Sequence, residues 1–241
     1  MNLTQLRSLA RLKVPSAPSD VISDDNQLII FNNGVLEITR ETKCLPTYGS
    51  FDTAADTMEY NLSSLLSDYL CPLDEDLMKV YYYDGSEYTE LDIVTLSYLD
   101  ENYSDWQTAD SGDPERCVIL GDTLFLHPKP DSTISNGIKM FYCKKPTPMD
   151  GSTYIYPWGG TSEITRLTPY HTVVIDYYEK EAYEILDIND PNSPRRTRAY
   201  QKYIDKIKWM KAKIREETAL MILKSKKTQF KIPSSYADNP F

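Results

Sequence analysis

Apolar positions recur at helical spacing near both ends of this chain and at strand spacing in between. Leu3, Leu6 and Ala10 share one stripe with Leu9 and Leu12 beside it, until Val14-Pro15-Ser16-Ala17-Pro18-Ser19 stops the pattern, so a short first helix over 3–13 is predicted. Ser23 then offers an N-cap and Asp24 and Asp25 suit the positive end of a helix dipole. Leu28, Phe31, Val35 and Ile38 follow at spacings of three and four, which predicts a second helix to about Thr42.

From Cys44 to about Thr165 the pattern changes to short runs divided by Gly, Pro, Asp and Ser. Met78 to Tyr83 is rich in strand formers and ends at the turn signal Asp84-Gly85. Cys117–Leu120 and Thr123–His127 flank a second, Gly121-Asp122. Gly137 to Lys144 predicts a further strand, closed by Pro146 and Pro148, and a helical turn falls near Ile93 to Leu99. Helical spacing returns at Thr168-Pro169, an N-cap and first-turn proline, with Val174, Tyr178, Ala182 and Ile185 as its stripe. Ser193-Pro194 repeats that start. The long helix it opens carries Tyr200, Tyr203, Ile207, Met210, Ile214 and Met221 near heptad spacing, with Glu217 interrupting the seam.

An amphipathic helix must bury its stripe against another, so helices from the two ends of the sequence are expected to meet. The fold class expected is therefore α+β: a discontinuous α-helical bundle (residues 1–43 and 166–228), an inserted β-rich sandwich or barrel-like subdomain (44–165) and an extended C-terminal arm (229–241).

Charge changes this picture. The chain holds 26 Lys and Arg against 36 Asp and Glu, yet Pro194 to Lys231 alone carries thirteen basic and three acidic residues. With Asp238 also set aside, residues 1–193 keep 13 basic and 32 acidic, a balance of −19 against +10 for the basic segment. A basic helical end on an acidic body suits docking, end to end with copies and with other proteins. Nineteen tyrosines against six phenylalanines suit contact surfaces and strands alike. Cys44, Cys71, Cys117 and Cys143 lack C-x-x-C pairing and histidine companions, so free thiols are expected rather than a disulfide framework or zinc site. Neither a membrane-length apolar run nor a signal-peptide pattern is present, so synthesis in the cytosol without membrane association is expected.

The order of elements resembles the head–tail adaptor (connector) proteins of tailed bacteriophages, in the subset with an inserted β domain. The likeness is carried by Asn2-Leu3-Thr4-Gln5-Leu6-Arg7, Ile22-Ser23-Asp24, Lys79-Val80-Tyr81-Tyr82-Tyr83-Asp84-Gly85 and Trp106. It continues through Asp113 to Pro128, ending in Leu126-His127-Pro128-Lys129-Pro130, and Tyr170 to Tyr178. The resemblance implies a structural virion neck protein forming a ring, usually twelvefold, that joins the portal to the tail and lets DNA pass. Its partners would be copies of itself, the portal protein, a tail tube, nozzle or other tail component, and translocating DNA in transient contact.

Two sets of residues are candidates for binding. Phe230, Ile232, Tyr236 and Phe241 have no core of their own and read as a portal-docking arm. Arg195, Arg196, Arg198, Lys202, Lys206, Trp209 and Lys213 read as a subunit or partner interface. Three readings of that basic helix compete: a solvated face, an answer to an acidic neighbour, or nonspecific nucleic-acid binding with Trp209, Tyr200 and Tyr203 as stacking faces. A glycan-binding tail component using the Tyr and Trp of the insert is a further alternative. Carboxylates of the acidic body are expected to face the channel and repel passing DNA.

No enzyme is expected. His127 and His171 lack a well-placed partner, Asp74-Glu75-Asp76 and Asp187-Ile188-Asn189-Asp190 lack the glycine and distant glutamate of a calcium loop, and no Walker lysine or G-x-S-x-G elbow occurs. No catalytic residue, cofactor or metal site is assigned.

Overall fold

The computed structural model describes residues 1–103, 105–152 and 155–229, with backbone only at 221 and 223–229. Helix α1 spans Leu3–Lys13 and opens with a capping box, in which the Asn2 side chain accepts from the Gln5 N–H and the Gln5 side chain accepts from the Asn2 N–H. Helix α2 spans Asp24–Thr42. The Ser23 hydroxyl accepts from the Asn26 N–H at its start, and Lys43 closes it in the left-handed conformation at φ 54°.

The inserted strands follow in chain order: β1 Pro46–Phe51, β2 Glu59–Asn61, the single turn α3 Leu62–Leu65, β3 Tyr69–Pro72, β4 Val80–Tyr83, β5 Tyr88–Glu90 and β6 Asp92–Ile93. After α4 (Leu96–Asn102) come β7 Arg116–Leu120, β8 Thr123–His127 and β9 Ile138–Lys144. They make two sheets. In the first, β9 is central: β1 pairs along one edge, while β4 and then β3 share the other, with β5 beyond β4. The second runs β2-β8-β7-β6, all antiparallel except β6 on β7. Alternation sorts its faces: Cys117 and Leu126 join the main core, while their neighbours Val118 and Phe125 turn outward to Leu99 of α4 and Trp106.

A 3-10 turn over Thr165–Tyr170 leads into α5 (His171–Leu186). Thr168-Pro169, expected to open the helix, lies inside this 3-10 segment, and neither it nor α5 has a side-chain cap, because the fixed proline φ fits either helix type and does not choose between them. Helix α6 spans Pro194–Gln229 and begins at its expected proline, but the Ser193 hydroxyl donates to Asp187 at 2.6 Å.

The fold is α+β, with helices from the two ends of the sequence packed together. Helices α1, α2 and α6 all meet α5, and α6 also meets α2. The approach of α2 to α5 depends on Gly34, where a Cβ would lie 2.5 Å from a ring carbon of Tyr177. Phe31 packs on Tyr178, whose hydroxyl receives an N–H from the buried Gln27 side chain. Helices and sheets share one continuous core, in which Leu6, Phe31, Val174, Met210 and Ile214 join Val80, Met140, Leu124 and Leu126. At the junction the buried Thr39 hydroxyl receives the Trp158 indole N–H at 2.9 Å and donates to Val35.

Candidate docking face on the C-terminal helix

Helix α6 is 36 residues long, about 54 Å at 1.5 Å per residue, and exceeds both helices it packs on. Its buried seam is Ala199, Tyr203, Ile207, Met210, Ile214, Thr218 and Ile222. Tyr200 departs from the sequence expectation: the seam runs through Ala199 and Tyr203, leaving Tyr200 at 51% exposed. Tyr203 is fixed by its hydroxyl, which donates to Glu37 of α2 at 2.9 Å, and by the edge of the Tyr177 ring.

The basic residues beside this seam bind the body's own carboxylates. Arg195 reaches Asp187 through Nε at 2.7 and 3.0 Å and again through Nη2. With Ser193 also donating, these bonds hold the Asp187 carboxyl down at about 2. Lys202 lies 2.6 Å from Asp176, a carboxylate only 5% exposed, and 2.5 Å from Glu179. Burial opposes the charge on Lys202, yet its hydrogen bonds to Asp176 and Glu179 hold its ammonium above the ordinary lysine range. Further along, Lys211 is 3.8 Å from Asp74 and Arg215 is 2.8 Å from Asp76. The acidic run 74–76 thus serves as an anchor for α6.

The opposite side differs. Pro194, Arg198, Gln201, Asp205 and Trp209 follow at spacings of three and four along one row, with Lys206 and the anchored Lys202 on its flank. Arg198, Lys206 and Lys208 are exposed and Arg196 half-buried, and among the described residues none of the four forms a salt bridge. Trp209 is 47% exposed, with Tyr170 on one side of its ring and the Lys206 ammonium 5.4 Å from its centroid. Leu220, 54% exposed, continues the apolar side.

The seven sequence-predicted interface residues therefore divide. Arg195 and Lys202 are committed to the fold, Lys213 pairs within its own helix with Glu216 at 3.4 Å, Arg196 lies half-buried on the seam side near Asp187, and Arg198, Lys206 and Trp209 stay on the outer side. Sequence reasoning missed the anchoring of Lys211 and Arg215, whose partners lie more than a hundred positions away and leave no local signal. Phe230, Ile232, Tyr236 and Phe241 lie outside the described residues.

Elsewhere, His171 is buried and stacked on Trp158, and burial holds its ring well below the ordinary histidine range, at about 4. His127 packs on Tyr103 and is also held down by burial. Among the described residues there is no group of three or more His, Cys, Asp or Glu able to hold a metal ion, and no helix long and apolar enough to cross a membrane. No protein-family model matches the chain, and no curated protein matches it in sequence.

Proposed function

We propose that this chain is a structural ring subunit of a virion neck, joining a portal to a tail and passing DNA without chemistry. The supporting observation is the unequal use of α6: inner cations are neutralised by the body, while among the described residues Arg198, Lys206 and Lys208 form no salt bridge and Lys206 lies against the exposed Trp209. The body still carries the acidic surplus of residues 1–193. A basic row on one molecule that meets the acidic surplus of the next makes a head-to-tail contact, and head-to-tail contacts close into rings when the rotation allows. Each contact is weak, and repetition around a ring multiplies it. The resemblance to head–tail adaptors supplies the neck, the portal and the twelvefold expectation. The sequence of residues 230–241 supplies the docking arm.

The test is electron microscopy of the full chain alone and mixed with its portal. The expected result is a monomer or weak associate alone and an annular complex with the portal, lost when residues 230–241 are removed. A chain that stays a lone particle beside the portal contradicts the proposal.

The same outer row supports a second reading, nonspecific nucleic-acid binding, because cations flanking an exposed indole suit phosphate and base stacking. A steep loss of duplex or single-strand affinity with added salt, abolished by reversing Arg198 and Lys206, would select it over the adaptor.

A further inference from the structure

Cys71 and Cys143 are direct cross-strand partners on β3 and β9, at a position just past an irregularity in the pairing. Register partners on antiparallel strands project to the same side of a sheet, so the two thiols face one another across the β3–β9 pair. The Lys43 ammonium donates to the Cys71 sulfur at 3.1 Å. That lysine is held in place: its left-handed backbone closes α2, and its N–H donates to the Thr39 carbonyl. Cys71 is half-buried, whereas Cys143 lies fully buried on the central strand with its Sγ 3.7 Å from the Thr39 carbonyl oxygen.

We propose that Cys71 and Cys143 form a reversible dithiol–disulfide couple, with Cys71 the reactive thiol, Lys43 its positioning cation and Cys143 the resolving thiol. The oxidant is a low-molecular-weight disulfide, for which oxidised glutathione is the probe. The Cys71 thiolate attacks one sulfur of the reagent, the reagent S–S bond breaks, and one glutathione leaves as a thiolate that takes a proton. Cys143 then loses its proton and attacks the Cys71 sulfur, and the second glutathione leaves in the same way. Two protein thiols are oxidised by two electrons in all, and one oxidised glutathione becomes two reduced ones. A small dithiol reverses the sequence.

The other groups around Cys71 favour the same order of attack. The neighbouring Cys143, opposed by burial and helped by Lys43 and then Arg40, holds the Cys71 thiol well below the ordinary range, while Cys143 is pushed up. Tyr69 on the same strand stays protonated, its hydroxyl pushed up by burial. On the adjoining surface Asp74 and Asp76 are paired with Lys211 and Arg215, with Glu75 between them. Cys44 and Cys117 are pushed up by burial to about 11 and about 12, which leaves them poor competitors.

Treating the full folded chain with oxidised glutathione, followed by intact mass and peptide mapping without reductant, tests the couple. The wild type is expected to lose two hydrogen masses, link the Cys71 and Cys143 peptides, and retain no glutathione. Cys143→Ser is expected to retain one glutathione on Cys71, and Lys43→Met to slow the first step about tenfold. A stable glutathione adduct on wild-type Cys71, a link between any other pair of cysteines, or no reaction overturns the proposal. The wild-type map decides this even if the buried Cys143 does not tolerate serine.

Discussion

The two sides of α6 carry the same kinds of residue and use them differently. On the inner flanks Arg195, Lys202, Lys211 and Arg215 are each matched to a body carboxylate, and between them an apolar seam enters the shared core. On the outer side Arg198, Lys206 and Lys208 form no salt bridge among the described residues, and Lys206 lies against an exposed indole. Net charge alone made the helix a uniform basic pole. The difference teaches that four of the nine cations from Arg195 to Arg215 are spent on attaching the helix, and that the unmatched ones on its outer side are available to a partner.

Adjacent residues give the strongest contrast. Met210→Ala empties a fully buried seam position and is expected to cost about 2–5 kcal/mol in denaturant unfolding, whereas Trp209→Ala, one residue away, is expected to cost at most about 1 kcal/mol. Equal losses would mean that the outer side is structural too. Next in size is Tyr203→Phe, which leaves Glu37 without its buried donor, for about 1–2 kcal/mol by the same measurement.

The inner ion pairs are exposed by acid. Because Arg195, then Ser193, hold the folded Asp187 carboxyl down from 3.8 to about 2, its stabilisation is complete above about pH 4 and is lost as pH falls toward 2. Thermal melting against pH should therefore steepen across that window in the wild type and flatten there in Asp187→Asn. A profile identical in both would remove the inner anchor. The smallest expected change in stability is that of the double reversal Arg198→Glu with Lys206→Glu, within about 0.5 kcal/mol of wild type, although assembly should fail.

How much of this was legible in sequence depends on whether the cause is local. The limits of α1, the cap of α2 and the β7–β8 hairpin follow from stripes, Ser23 and Gly121-Asp122, and all form where expected. Strand β1, Pro-Thr-Tyr-Gly-Ser-Phe, has neither alternation nor strong strand formers; it is extended because β9 offers it a partner edge, a tertiary cause that no window contains. Strands β2, β3 and β6 are two to four residues long and were hidden for the same reason. For α6 the charge and most of the seam were readable. Which cations faced inward was not, since that depends on where Asp74, Asp76 and Asp176 arrive in space.

The most direct test of the outer row is electron microscopy of the full chain with the portal that the proposed function assigns to it, comparing wild type with the Arg198→Glu, Lys206→Glu double variant. The account predicts closed rings with the outer side of α6 covered in the wild type, and folded single particles in the variant. Rings that form equally well in both, or a wild-type ring whose α6 outer side faces only solvent, would contradict it.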